Sequence, residues 1–213
     1  MKNRTKHYAI FALLTLLLGL MPATKGSAED LQLPQQVIQS ISSELQQKLQ
    51  DKSFTKNFAE VTQFVDGVIF PHTDFDKIAP LVLGKHWKTA TPEEQERFKH
   101  EFRTLLVRTY ARAFVEYNDW SMRFLPLEIT DEATKALVKT NVMQPHKQPI
   151  DVNYRMFLSK GEWKVYDILI DGVSLVTNYR STFSDEIQTK GSLSAVIDDL
   201  AKRNAEALAA KES

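Results

Sequence analysis

Gly161-Glu-Trp-Lys-Val-Tyr-Asp-Ile-Leu-Ile-Asp-Gly-Val-Ser-Leu-Val-Thr-Asn-Tyr179 reads as a strand that runs into a turn and then straight into a helix with one apolar face. Trp163 to Ile170 is the strand. It is apolar on both sides, with Val165 and Leu169 against Tyr166, Ile168 and Ile170. Such a strand is covered on both faces, or faces a cavity on one. Asp171-Gly172 breaks it, and the spacing of Val173, Val176, Tyr179, Phe183 and Ile187 predicts a helix closing at Lys190-Gly191. Ser192 can cap a final amphipathic helix carrying Leu193, Val196, Ile197 and Leu200. Beyond Asn204 the chain turns Ala-, Glu- and Lys-rich, and residues 205–213 are expected to fray.

Upstream of this stretch the hydrophobic period is two. Trp120 to Leu127 is a candidate strand, and Thr134 to Met143 sets Ala136, Val138 and Val142 against Lys135, Lys139 and Asn141. Ile150, Val152, Tyr154, Met156 and Leu158 alternate with Asp151, Asn153 and Arg155. Gln144 to Pro149 and Ser159-Lys160-Gly161 are connections of hairpin length, so the expected sheet is an antiparallel meander of four strands.

The first half has helical periodicity. Pro34 to Leu49 places Val37, Ile41, Leu45 and Leu49 on one face, and Phe54 to Phe70 does the same with Phe58, Val61, Phe64, Val65, Val68 and Ile69. A short helix from Asp74 to Gly84 carries Phe75, Ile78, Leu81 and Val82, with a kink or break expected at Pro80. Thr91-Pro92-Glu93-Glu94 is a capping box that opens a helix to about Tyr117. Its stripe of Phe98, Phe102, Leu105, Leu106, Tyr110, Ala113, Phe114 and Tyr117 must face something large and apolar, either a sheet or a ligand. Helices, then a curved meander, then helices make an α+β domain spanning residues 29–204.

The N-terminus sets the compartment. Lys2, Arg4 and Lys6 precede an apolar run from Tyr8 to Leu20, and Gly26-Ser27-Ala28 supplies small residues for cleavage after Ala28. Residues 1–28 thus read as a signal peptide, and the mature chain as a periplasmic protein. Removing them takes four basic side chains and no acids, so 23 basic and 27 acidic groups remain, a net charge of −4. That balance argues against nucleic acid as a partner. With no cysteine, disulfides and thiolate metal sites are excluded. His72, His86, His100 and His146 show no metal-ligand spacing. Lys85, His86, Trp87 and Lys88 form a basic-aromatic cluster, read as a loop at a pocket rim, a docking surface or plain solvated chain.

The pattern Trp163-x-Val165-Tyr166-Asp167 followed by Gly172-Val-Ser174 resembles the MlaC, or toluene-tolerance, family of periplasmic phospholipid-binding proteins. Further anchors are Val82-Leu-Gly84 with Trp87, the Thr91-Pro92 cap with Gln95 and Phe98, and Thr189-Lys-Gly191. The resemblance implies a nuclear-transport-factor-2-like (NTF2-like) sheet, wrapped by six to seven helices around a deep apolar pocket. It implies a soluble, monomeric, non-enzymatic carrier in the Mla pathway, which maintains outer-membrane lipid asymmetry. Its partners would be an inner-membrane ABC-type complex and an outer-membrane lipoprotein–porin complex. Phospholipid would be its cargo, with no cofactor and no metal.

Magnitudes agree with enclosure. Burying one CH₂ group is worth about 0.8 kcal/mol, so two acyl chains of about 30 carbons carry on the order of 20 kcal/mol, which no surface patch supplies. Phe64, Val68, Ile78, Tyr110, Phe114, Val138, Val152, Tyr154, Ile168, Val173 and Val176 are the candidate lining residues, with Val173, where strand meets helix, foremost. Two other functions are open to this sequence. In an isomerase- or dehydratase-type enzyme, Asp167 would act with Tyr154 or Tyr166 as base and oxyanion donor. In an adaptor or chaperone, an apolar groove would hold protein clients.

Overall fold

The computed structural model describes residues 31–116 and 119–209. The signal peptide expected over residues 1–28, its cleavage point after Ala28, and Tyr117 lie outside the described residues.

Among the described residues there are seven α-helices and five strands, in the order helices, sheet, helices. Helix α1 (Leu33–Leu49) is tied to the sheet region by Gln35, whose side-chain amide donates to the Leu125 carbonyl at 3.0 Å. The single helix expected over Phe54–Phe70 is divided. A 3₁₀ turn at Phe54–Lys56 precedes α2 (Phe58–Ile69), and a second at Phe70–His72 follows it. Asn57 causes the first division, because its side chain accepts from the Glu60 N–H and caps a new helix there. Helix α3 (Phe75–Leu83), capped by Asp74, runs through Pro80 without a break. The proline removes one intrahelical hydrogen bond, to the Asp76 carbonyl, four residues before Gly84 ends the helix at φ 55°. The basic-aromatic cluster forms the five-residue helix α4 (Lys85–Thr89) rather than a loop. Helix α5 (Pro92–Glu116) begins with the expected capping box: Thr91 N–H donates to Glu94 Oε2 at 2.9 Å and Glu94 N–H to Thr91 Oγ1 at 3.2 Å.

The sheet has five antiparallel strands rather than four: β1 (Ser121–Phe124), β2 (Lys135–Met143), β3 (Ile150–Ser159), β4 (Glu162–Ile170) and β5 (Val173–Ser174), in that spatial order. The extra strand comes from Asp171-Gly172. Their φ angles, 47° and 82°, make a left-handed two-residue turn, the kind whose twist suits a hairpin. The chain therefore folds back, pairing Val173 with Ile170 and Ser174 with Leu169. Helix α6 (Leu175–Lys190) starts only after that, with the Ser174 hydroxyl accepting from the Thr177 N–H. A register shift between Arg155 and Met156 leaves Tyr166 without a cross-strand partner, a one-residue bulge in β4. Past Val165, the outer edge of β4 is met by the segment before α3: Thr73 bridges Val165, and Asp74 N–H donates to its carbonyl at 3.1 Å.

Cross-strand register sorts the sheet side chains onto two faces. One face carries Met122, Val142, Ile150, Val152, Tyr154 and Ile168. The other carries Arg123, Leu137, Lys139, Asn141, Asp151 and Arg155. The core divides accordingly. Phe98 and Phe102 of α5 and Phe183 of α6 pack with α3 and α7 (Leu193–Ala209). Leu45, Val61, Val65 and Val107 join α1, α2 and α5. Ile38 of α1 packs on Val138, Met156, Trp163 and Val165 of the sheet. Helix α7 continues five residues past Asn204 because Asn204 docks it to α5: its amide donates to the Glu101 carbonyl at 2.9 Å, and its oxygen accepts from Arg108 at 2.8 Å.

Candidate functional site

Between the apolar face of the sheet and helices α1, α2, α3, α5 and α6 lies a cavity of about 560 Å³. Ligand pockets span about 300–1,000 Å³. The sheet contributes Met122, Val142, Ile150, Val152, Tyr154, Ile168 and Ile170, and α5 contributes Phe102, Leu106, Tyr110 and Phe114 along its length. The twelve steps from Phe102 to Phe114 rise about 18 Å, so one helix runs the depth of the chamber. Ile41 and Leu45 of α1, Val65 and Ile69 of α2, and Leu175 and Val176 at the start of α6 close the sides. Most of the strand residues facing this space are Val and Ile, whose short side chains leave the gap between sheet and helices unfilled.

Polar groups in the wall are few and mostly satisfied by one another. At one end, both carboxylate oxygens of Asp66 accept from the Arg103 guanidinium, which lies over the Phe70 ring. Phe70 stacks on Phe75 with ring centroids 6.0 Å apart. At the other end are Trp120, Gln144, Lys147 and the exposed Ala113, with Phe114 and Trp120 at 6.1 Å. Burial pushes the Tyr110 hydroxyl up to about 12, and the neighbouring Tyr179 adds to the rise. Burial also pushes up the Tyr154 hydroxyl, against the effect of a side-chain hydrogen bond with Thr140.

Of the eleven residues expected to line the pocket, Ile78, Tyr110, Phe114, Val152, Tyr154, Ile168 and Val176 do so. Four do not. Phe64 packs edge-to-face on Phe54, at 5.6 Å, within the α1–α2 core, and Val68 is buried in that core. Val138 points to the cavity side of the sheet, opposite Tyr154, but Ile38 seals it off. Val173 is 60% exposed, because the Asp171-Gly172 turn carries it out along the sheet edge. Met122, Val142 and Ile150 were legible from the same strand alternation that picks out Val152 and Tyr154. Ile69 and Phe75 were legible on their apolar helix faces, and Trp120 alternates with Met122.

Asp167, the candidate base, is engaged on all sides. Arg155 Nη1 donates to Oδ2 at 2.8 Å, the Ser174 hydroxyl to the same oxygen at 2.7 Å, and the Val176 N–H to Oδ1 at 3.1 Å. These bonds make Asp167 a clamp that fixes the start of α6 to the sheet. Among the described residues no group of three or more His, Asp or Glu is placed to hold a metal ion. No described helix is long and apolar enough to cross a membrane.

Residues 39–202 match the MlaC protein family, a span reaching from α1 into α7 and containing all the residues that line the cavity except Ile38. The chain belongs to the MlaC family. Two relatives are similar to it over most of their length. Toluene tolerance protein ttg2D of Pseudomonas putida is 28% identical over 204 residues, covering 94% of this chain and 93% of that one. The intermembrane phospholipid transport system binding protein MlaC of Haemophilus influenzae is 24% identical over 172 residues, covering 78% and 79%. A solved structure, the phospholipid-binding protein from Ralstonia solanacearum in complex with a phospholipid, superposes with a TM-score of 0.75 at 29% identity. It covers 82% of this chain and 98% of that one.

Proposed function

We propose that this MlaC-family chain is a phospholipid-binding transport protein that carries its cargo with the acyl tails inside the cavity described above. The observation that carries the reading is the cavity itself: about 560 Å³ of apolar space walled by the sheet and five helices, in a relative of a protein solved with a phospholipid bound. Tail burial supplies the binding energy, about 0.8 kcal/mol per CH₂, and the headgroup stays at a polar end in water. Lipid is cargo and no cofactor is required. The enzyme reading loses support at Asp167, whose three donors leave it occupied as an anchor.

Membership of the family supports a finer reading. The architecture is NTF2-like, and the chain acts as a monomer in the periplasm after cleavage behind Ala28. It exchanges lipid with an inner-membrane ABC-type complex and an outer-membrane lipoprotein–porin complex, so that outer-membrane asymmetry is maintained. Native mass spectrometry of the purified mature protein, followed by lipid extraction, tests the core of this reading. A bound phospholipid mass is the expected result. A bare mass that takes up nothing from liposomes would sink it.

A further inference from the structure

At its Asp66–Arg103 end the chamber meets a second, polar space. A cleft of about 560 Å³ lies there, and Phe70, Thr73, Phe75 and Arg103 line both it and the chamber. The start of α3, the N-terminal half of α5 and the β3–β4 hairpin form the rest of its wall. The wall changes character at this boundary. Four acids and four bases line the cleft, so it carries both signs and no excess of either.

The protein's own ion pairs leave part of each set unused. Lys99 reaches Asp76 Oδ1 at 2.6 Å and Glu96 Oε1 at 2.7 Å. Asp76 Oδ2 and Glu96 Oε2 remain open acceptors, on side chains that keep 84% and 73% of their surface in water. On the basic side, Arg103 gives Nε and Nη2 to Asp66 and keeps Nη1. Lys160, exposed in the hairpin turn, makes no ion pair among the described residues. The far end of the chamber has no comparable set, since its lining there offers Gln144 and Lys147 and no carboxylate.

We propose that this cleft is the headgroup subsite of the carrier, and that it selects phospholipids whose phosphate bears a primary ammonium, the phosphoethanolamine type. The inference rests on the carrier reading above and assigns the headgroup to one end of the chamber. A diacyl phospholipid turns from apolar to polar once along its length, and here the wall does the same. The ammonium donates to Asp76 and Glu96, and the phosphate accepts from Lys160 and Arg103, as charge-assisted hydrogen bonds. A quaternary ammonium has no N–H to donate and depends on open aromatic faces. Phe70 offers little of that kind, because it carries the Arg103 guanidinium and stacks on Phe75. An anionic glycerol headgroup brings no cation to the two carboxylates and sets its own negative charge beside them.

The test loads delipidated mature protein from vesicles holding equal amounts of phosphatidylethanolamine, phosphatidylglycerol and phosphatidylcholine with identical acyl chains. Native mass spectrometry and lipid extraction read the ratio of bound headgroups, which does not depend on how much of the protein is loaded. The wild type should hold phosphatidylethanolamine about threefold above its share in the vesicles, the scale of one exposed ion pair. Asp76→Asn/Glu96→Gln should return the ratio to the vesicle composition or tilt it towards phosphatidylglycerol. Glu162→Gln, on the hairpin wall, should move it part of the way. Wild-type lipid at the vesicle composition would overturn the subsite and leave the carrier reading standing, as would a preference that Asp76→Asn/Glu96→Gln does not shift. A wild type that loads no lipid would overturn both. Glycerophosphoethanolamine, which has the headgroup and no tails, is titrated separately into the lipid-free protein and should bind far more weakly than the lipid. Equal affinity would make the cleft a site for soluble phosphodiesters and overturn the headgroup assignment.

Discussion

The two halves of α5 present similar side chains and meet opposite fates. In its N-terminal half, Phe98 packs against Phe183 with ring centroids 5.1 Å apart and no exposed surface, and Phe102, 5.6 Å from the same ring, stands where the packed core gives way to the chamber. In its C-terminal half, Tyr110 and Phe114 look across open space at Val152, Tyr154 and Ile168. The difference lies in what each half faces. The first meets helices, whose long side chains reach across and interlock. The second meets a sheet whose mostly β-branched residues stop short. One continuous apolar stripe therefore builds a solid core at one end and a chamber at the other, and composition alone does not distinguish them.

Substitutions at the two ends should separate stability from cargo. Phe183→Ala removes a ring from the filled end, and a loss of about 3–5 kcal/mol is expected in denaturant unfolding. A loss under 1 kcal/mol would mean that this end is not packed solid. Val152→Glu at the hollow end has room for its side chain but sets a carboxyl among the tails. Lipid retained in native mass spectrometry should fall at least tenfold, with a smaller shift in unfolding midpoint than Phe183→Ala gives.

Tyr110 offers a subtler probe of the boundary. Its hydroxyl is held up at about 12 in the folded protein, above the ordinary value of 10.0 that applies unfolded. The native state keeps that proton longer, so the stability it contributes is intact below pH 10 and drains away as pH rises toward 12. Tyr110→Phe should flatten the alkaline limb of a stability–pH curve, and an unchanged limb would remove Tyr110 from the account. The smallest effect is expected from Val173→Glu. This exposed residue should tolerate the change within about 0.5 kcal/mol, with lipid content as in wild type. Loss of lipid there would mean that the hairpin at Asp171-Gly172 opens toward the cavity.

The Val173 case shows where the sequence is legible and where it is not. Four strands, their alternation and the capping box at Thr91 are visible because each repeats a period or a spaced pair. A two-residue strand has no period to see. Asp171-Gly172 did carry a signal, since Asp-Gly is a strong hairpin turn, but followed by Val176, Tyr179 and Phe183 at helical spacing it read as a helix start. Phe64, Val68 and Val138 failed for another reason. Alternation and helical spacing tell which face a residue occupies, and only the neighbouring element decides whether that face is sealed. Ile38 seals Val138, and the α1–α2 core takes Phe64 and Val68. The persistence of α7 to Ala209 is likewise a tertiary matter, fixed by Asn204 against α5.

The strand edges bear on how such a protein survives at high concentration. An open β-sheet invites copies of itself to add strand upon strand, and a chain built around a sticky interior has more to lose from that than most. Here the β4 margin is occupied twice, by β5 at Leu169–Ile170 and by Thr73–Asp74 at Val165. The opposite margin, β1, is four residues long and carries Arg123. Short, charged or covered over part of their length, both borders give strand addition less to build on than a long bare edge would, whether or not the chamber is loaded.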